Sequence, residues 1–346
     1  MPILTVFSLQ TPDKSKFVGQ LRQNCLDWLK LGIYLGMLRR FVVACLLCQV
    51  LPVFAEPDYL QQKKVVIIYP KVSAPYNQIF EQIIEGIKQE FPGEVLLYLL
   101  DKTSSKQKLG DWIREQNVDA FLPLGSMAKA MLNGTGKHFP LVQGAISRLA
   151  NGSDHSGIVM LPDPDKMLRH FVELIGTSKD IHLVYNPVNQ EYWVSHAIEA
   201  AATLGIKLKL YQAADLAHSA LAYRQLLSKL NPKHDALWLA SDHKIMDAAI
   251  FNHVLEFSWQ HELTVFSNKL PDVKRGALFS MFPDNVLMGR NLALMLMQRI
   301  KDPRQKAKIE YLSAVKVAIN IRTAKHLGLH LSEAELSHYG LVYPLP

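Results

Sequence analysis

Residues 65–100 read VVIIYPKVSAPYNQIFEQIIEGIKQEFPGEVLLYLL, and two different periods follow one another inside them. Val65 to Pro70 is a short, continuously apolar, β-branched run, whereas from Tyr76 to Phe91 the residues Ile79, Phe80, Ile83, Ile84 and Ile87 recur at helical intervals. Glu94 to Leu100 is again short and apolar. A strand, an amphipathic helix and a strand without polar alternation spell a βαβ unit, whose parallel sheet is covered on both faces and leaves no side for polar residues.

The alternation continues along the chain. A helix over 107–116, the strand AFLPLG, a short helix from Ser126 and the strand PLVQGAI complete one doubly wound lobe. After the polar joint Asn151-Gly152-Ser153-Asp154 the pattern restarts with GIVMLP and a helix over 163–175. IHLVYNP, a helix over 191–204, IKLKLYQ, a helix over 219–230, DALWLAS, a helix over 244–261 and LTVFSN make the second lobe. GALFSMF and the apolar helix over 285–300 must return to the first sheet, which makes the lobes discontinuous. The expected division is 56–147 with about 268–305 in lobe 1, and 148–267 with about 306–346 in lobe 2.

Upstream, residues 37–56 read MLRRFVVACLLCQVLPVFAE. Arg39 and Arg40 precede an apolar run from Phe41 to Ala55, and Val53-Phe54-Ala55 offers a cleavage site, so residues 1–55 are read as an export signal with a long N-terminal extension. A membrane anchor needs about 20 apolar residues, whereas this run is shorter and holds Gln49 and Pro52. Val42-Val43-Ala44-Cys45 resembles a lipobox, but too few apolar residues separate it from Arg40. Translation from Met1 and from Met37 both remain open, as do cleavage and a residual tether. The expected location is the periplasm.

Taking away the 55-residue leader leaves 291 of 346 residues, enough for two lobes. The leader carries six Lys/Arg and two Asp/Glu, so the formal charge falls from +7 to +3 and the case for a nucleic-acid partner falls with it. All three cysteines, Cys25, Cys45 and Cys48, lie in the leader. The remaining chain is free of thiols, as suits an oxidising compartment, and excludes thiol catalysis and Cys-type zinc sites.

The segments YPKVSAPYNQIFEQIIEGIK, IHLVYNPVNQEYWVSHAIEAAATLGIKL and the tail AVKVAINIRTAKHLGLHLSEAEL resemble the substrate-binding proteins of ABC transporters, in the group with tryptophan- and tyrosine-binding members. The most specific piece is Ile319-Asn320-Ile321-Arg322-Thr323-Ala324-Lys325 with Leu327-Gly328-Leu329, followed by Gly276-Ala277-Leu278 with Asp284 and Gly289. The resemblance implies the type I periplasmic-binding fold: two doubly wound Rossmann-like lobes with parallel sheets, joined by a multi-crossover hinge that closes on a small molecule. It implies no cofactor and no catalysis. The expected partners are a small-molecule ligand, an amino acid or a related anion, and an ABC permease in the inner membrane; the alternative partner is a membrane sensor kinase.

Ligands of such sheets sit beyond the carboxyl ends of the strands. The loop after the first strand offers Ser73, Tyr76 and Asn77, with Ser73 either binding or capping the next helix. Gly125 and Ser126 are expected to hold a carboxylate, and Ser147 is a similar candidate. In the second lobe Asn186, Tyr192, Asp242 and Asn268 occupy the matching loops. Asp242 either pairs with a ligand amine or caps a helix. Ser147-Arg148-Leu149 and Asn268-Lys269 stand where relatives often carry acidic residues, which weakens the expectation of an amino acid and admits a more anionic ligand.

Other chemistries lack their motifs. There is no H-E-x-x-H, the spacing around Gly134-Thr135-Gly136-Lys137 fails a phosphate loop, and neither G-x-S-x-G nor G-x-G-x-x-G is present. His326, His330 and His338 lie on a polar tail rather than at metal-ligand spacing. An exported enzyme on the same fold is the less favoured reading, since no nucleophile and base are paired.

Overall fold

The computed structural model describes residues 58–134, 139–147, 155–240 and 242–345. The leader over 37–55 lies outside them, as does Arg148. From Tyr59 on, the chain is one compact unit.

The opening segment forms α1 (Asp58–Gln61), β1 (Lys64–Pro70), α2 (Tyr76–Glu90), β2 (Glu94–Leu100), α3 (Lys106–Gln116), β3 (Ala120–Pro123), α4 (Ser126–Met131), β4 (Val142–Ile146) and β5 (Ser156–Pro162). β1 is flanked in parallel by β2 and β3. β3 meets β4 through parallel bridges, Phe121 with Leu141 and Leu124 with Gly144, and β4 pairs in parallel with β5. One face of this sheet packs Val65, Ile67 and Leu122 against Ile83 and Ile87 of α2. The other face packs Val66, Ile68 and Phe121 against Leu109 and Ile113 of α3. Both faces are therefore buried, which explains the continuous apolar character of these strands.

The chain then crosses into α5 (Pro164–Ile175), β6 (Asp180–Tyr185), α6 (Pro187–Thr203), β7 (Leu208–Gln212), α7 (Leu216–Leu227), β8 (Asp235–Leu239), α8 (Ala248–His261), β9 (Thr264–Ser267), α9 (Leu270–Arg275) and β10 (Phe279–Pro283). The sheet runs β7-β6-β8-β9, all parallel. Trp193 of α6 meets Trp238 of β8, with Phe171, Phe266 and Phe279 completing an aromatic core on that face. Tyr223, Phe251 and Val254 cover the opposite face. Each fully buried large side chain contributes about 1.5–3 kcal/mol.

α10 (Asn285–Lys301) returns to the first lobe, and β11 (Ile309–Leu312) pairs in parallel with β5. β12 (Val315–Asn320), α11 (Ile321–His326), α12 (Glu333–Leu336) and β13 (Leu341–Tyr343) finish in the second lobe, where β12 is antiparallel to β10 and parallel to β13. Gly86 of α2 and Gly289 of α10 allow these helices to cross almost backbone to backbone. A Cβ on Gly86 would stand 1.9 Å from the Val286 carbonyl oxygen, and one on Gly289 would stand 2.1 Å from that of Ile83.

The lobe boundaries differ from those expected. GIVMLP, assigned above to lobe 2, is β5 of the first sheet, held between β4 and β11. GALFSMF stays in the second lobe: the N–H of Leu278 donates to Val265 of β9 at 2.7 Å, and β10 is zipped to β12. Only the helix after it returns. The joint at 151–154 lies outside the described residues, and the first crossing falls at the far end of β5. Two further strands, β11 and β13, escaped the sequence reading because IEYL and LVY are too short to show a period.

Candidate ligand-binding site

Three crossings join the lobes, and hydrogen bonds gather them at one place. β5 ends at Pro162, and Asp163 caps α5 by accepting from the N–H of Asp165 at 2.9 Å. β10 ends at Pro283, and Asp284 caps α10 by accepting from the N–H of Leu287 at 3.1 Å. The third crossing, 312–314, ties the other two down. The carbonyl of Leu312 accepts from Asp163 N–H at 3.1 Å, and that of Ala314 accepts from Asp284 N–H at 2.9 Å. Proline has no N–H to extend a ladder, and aspartate is among the best residues for starting a helix. A Pro-Asp pair thus ends the strand and starts the helix at two of the three crossings, 162–163 and 283–284.

The two hinge carboxyls differ electrostatically. Burial raises Asp163 above the usual carboxylate range, against the pull of the Asp165 N–H and nearby His196. Burial acts in the same sense on Asp284, but the Leu287 N–H and the Lys316 ammonium, 3.2 Å away, hold it below that range. Tyr192 belongs to this region. Its ring lies 4.8 Å from that of His196 and 6.0 Å from that of Tyr311 on β11, so it packs against a hinge strand.

In the first lobe the candidates line up along one end of the sheet, because β1, β3 and β4 are consecutive. Ser73 is exposed and does not cap α2, whose N-cap is Pro75 without a side-chain bond. Tyr76 begins α2 and is 64% exposed, while Asn77 donates to Glu81 at 3.0 Å and keeps a buried Oδ1 without a partner among the described residues. Gly125 has φ +86° and ψ 163°, a conformation that belongs essentially to glycine, and presents Ser126 in the first turn of α4. Ser147 is exposed beyond β4, where Ala145 at φ +54° accompanies a register shift that re-aims the end of the strand.

In the second lobe two of the candidates are hydrogen-bonded within the fold. Asn186 is buried, and its amide is committed to structure: Oδ1 accepts from the N–H groups of Val188 and Asn189, and Nδ2 donates to Ala214. Its cap places the start of α6 at Pro187, ahead of the expected Glu191. Asp242 is also buried and committed, accepting from Asn189 Nδ2 at 2.9 Å and from the Lys244 N–H at 2.9 Å. It closes a turn; Asp247, not Asp242, caps α8. Asn268 differs. It accepts from Trp238 Nε1 at 2.7 Å, but its buried Nδ2 has no partner among the described residues. Gln190, which the sequence reading passed over, is likewise buried with an unpartnered Nε2 after accepting from the Asn186 N–H.

The model of the family described as ABC transporter substrate binding protein matches residues 97–340. The chain belongs to that family. Its fold is also that of a ligand-free, open substrate-binding protein with adhesive properties from Clostridium difficile, at 15% identity and TM-score 0.58, covering 81% of this chain and 99% of that one. A domain from Streptococcus pneumonia in complex with L-Trp (17% identity, TM-score 0.47) and a conserved domain protein from Vibrio cholerae (18%, 0.45) are further similar structures, each covering 81% of this chain and 99% of the other. No curated protein matches the sequence.

As a substrate-binding protein the molecule is a receptor rather than an enzyme, and its fold is the type I periplasmic-binding architecture with an α/β core of mostly parallel sheets. Among the described residues no cluster of three or more His, Asp or Glu is placed to hold a metal ion, and no helix is long and apolar enough to cross a membrane. In each lobe the loops that the sequence singled out follow the carboxyl ends of strands. What they offer differs: exposed hydroxyls in the first lobe, unpartnered amide N–H groups in the second.

Proposed function

We propose that this receptor captures a small organic acid by closing its two lobes about the hinge at 162–163, 283–284 and 312–314, and hands it to an ABC permease after export. The observation that carries this reading is the convergence of the three crossings beside the carboxyl ends of both sheets. Short, hydrogen-bonded crossings of this kind permit rotation without unfolding either lobe, and ligand affinity for the closed form drives the population shift.

The polar groups support an acid over an amino acid. Asp242, the carboxylate expected to meet a ligand amine, is already held by Asn189 and Lys244. Ser73, Ser126 and Ser147 supply hydroxyls, and Asn268 and Gln190 supply unpartnered N–H groups, all able to donate to a carboxylate. Exposed Tyr76, Met127 and Val188 stand in the first turns of α2, α4 and α6 and suit an apolar body on the ligand.

A thermal-shift screen of the full chain against small organic acids, amino acids and nucleosides tests this, because a ligand that binds only the folded state raises its stability by mass action. The expected result is a concentration-dependent rise with organic acids. A response to amino acids alone would replace the ligand class, and no response to any solute would remove the receptor reading's functional support.

A further inference from the structure

β2 is the edge of the first sheet, and among the described residues its outer side pairs with nothing. Proteins usually blunt such an edge with a proline, a bulge or an inward-pointing lysine. Glu94-Val95-Leu96-Leu97-Tyr98-Leu99-Leu100 has none of these: its register against β1 is unbroken over all seven residues, and its one charge, Glu94, is at the end and paired with Lys64 at 3.2 Å. Leu97 and Leu99 point to the same face and are 39% and 44% exposed. α2 covers that face only in part. Between helix and strand lies a depression of about 390 Å³ lined by Tyr69, Ile84, Leu97 and the charged residues Glu81, Glu85 and Lys88.

The surface is complementary to itself. An antiparallel pairing of β2 with a second β2, centred on Leu97, sets Leu97 against its own copy and Val95 against Leu99, giving one continuous apolar strip. Ile84 and Glu85 line the same depression as Leu97, so the same two-fold axis passes between the two α2 helices. Glu81 and Lys88 lie two turns apart on the face of α2 that lines the depression. Antiparallel α2 helices then place Glu81 opposite Lys88 of the second copy, twice. Such isologous matching of apolar and charged positions is what a two-fold interface requires.

We propose that the β2 edge and the adjoining face of α2 form a homodimer interface in which the first-lobe sheets of two copies join into one. The lobes remain free to rotate, since neither the hinge nor the strand ends at the binding loops take part.

Sedimentation equilibrium of the full chain over a range of concentrations tests it. The expected result is a reversible dimer whose dissociation constant rises by about 100-fold in Leu97→Glu, which sets like charges against each other on the axis. Glu81→Lys and Lys88→Glu should each weaken the dimer, and the double variant carrying both should restore it. All these side chains are on the surface, and an unchanged melting temperature of the monomer verifies folding. A wild-type chain that stays monomeric overturns the proposal, and so does a dimer that Leu97→Glu leaves intact or a charge exchange that fails to restore association.

Discussion

Trp193 of α6 donates its indole N–H to the carbonyl of Pro162, the last residue of β5, across 3.1 Å. The indole is buried against Trp238, so one side chain anchors the first hinge crossing to the core of the second lobe. Trp193→Phe keeps most of the apolar contact and leaves the Pro162 carbonyl unpaired. The expected loss is about 1–3 kcal/mol of unfolding free energy in urea titration, and Trp193→Ala should cost about 3–5 kcal/mol.

The helix crossing of the first lobe makes the second prediction. A methyl group on Gly86 or Gly289 meets a backbone carbonyl oxygen, not a side chain that can swing away. Gly289→Ala is therefore expected to force α2 and α10 apart and to cost about 3 kcal/mol or more, visible as a lowered melting temperature. If the variant melts as the wild type does, the close crossing is not present in solution.

A third prediction concerns acid. His182 Nε2 lies 2.9 Å from Asp235 Oδ1 and its Nδ1 lies 2.9 Å from the Tyr211 hydroxyl, in the interior of the second sheet. Burial alone would raise Asp235, but the Asn231 N–H, His182 and Lys209 together hold it below its ordinary value of 3.8. A carboxyl with a depressed folded-state pKa stabilises the fold above the unfolded value, and that contribution disappears as pH falls through the folded one. Asp235→Ala should then cost on the order of 3 kcal/mol at pH 7, with the difference from wild type narrowing below about pH 4. Urea titrations of both proteins at pH 7 and pH 3.5 measure this; a gap that does not narrow contradicts the assignment.

The binding loops give the fourth. Ser126 is exposed in the first turn of α4, so Ser126→Trp should change the stability of the free protein by no more than about 0.5 kcal/mol. It should nevertheless abolish the ligand-induced thermal shift by filling the space beside Gly125. Gly125→Ala, at φ +86°, is expected to cost about 1–3 kcal/mol even without ligand. An undiminished ligand response in Ser126→Trp would place the ligand elsewhere.

Much of the architecture was legible because it rests on local periods. β1, α2 and β2 fall where the switch between continuous apolar runs and helical spacing puts them, and the apolar strands of both lobes foretold sheets covered on both faces. Individual side chains were less legible, since Asn186 and Asp242 have the right residue type and position for a ligand but are already held by neighbours distant in sequence, Ala214 and Asn189.

Local patterning carries most of the strands and helices, the two-lobed α/β class and the family, for these depend on patterns within a few tens of residues, while elements as short as β11 and β13 show no period. The fold as a whole chose which sheet takes β5 and which takes β10, since both are short apolar runs and the choice rests on partners far along the chain, β11 and β12. It also decided which polar groups remain free to bind. A side chain's hydrogen-bonding capacity is finite, and whether it has been consumed inside the fold depends on contacts that no local pattern records.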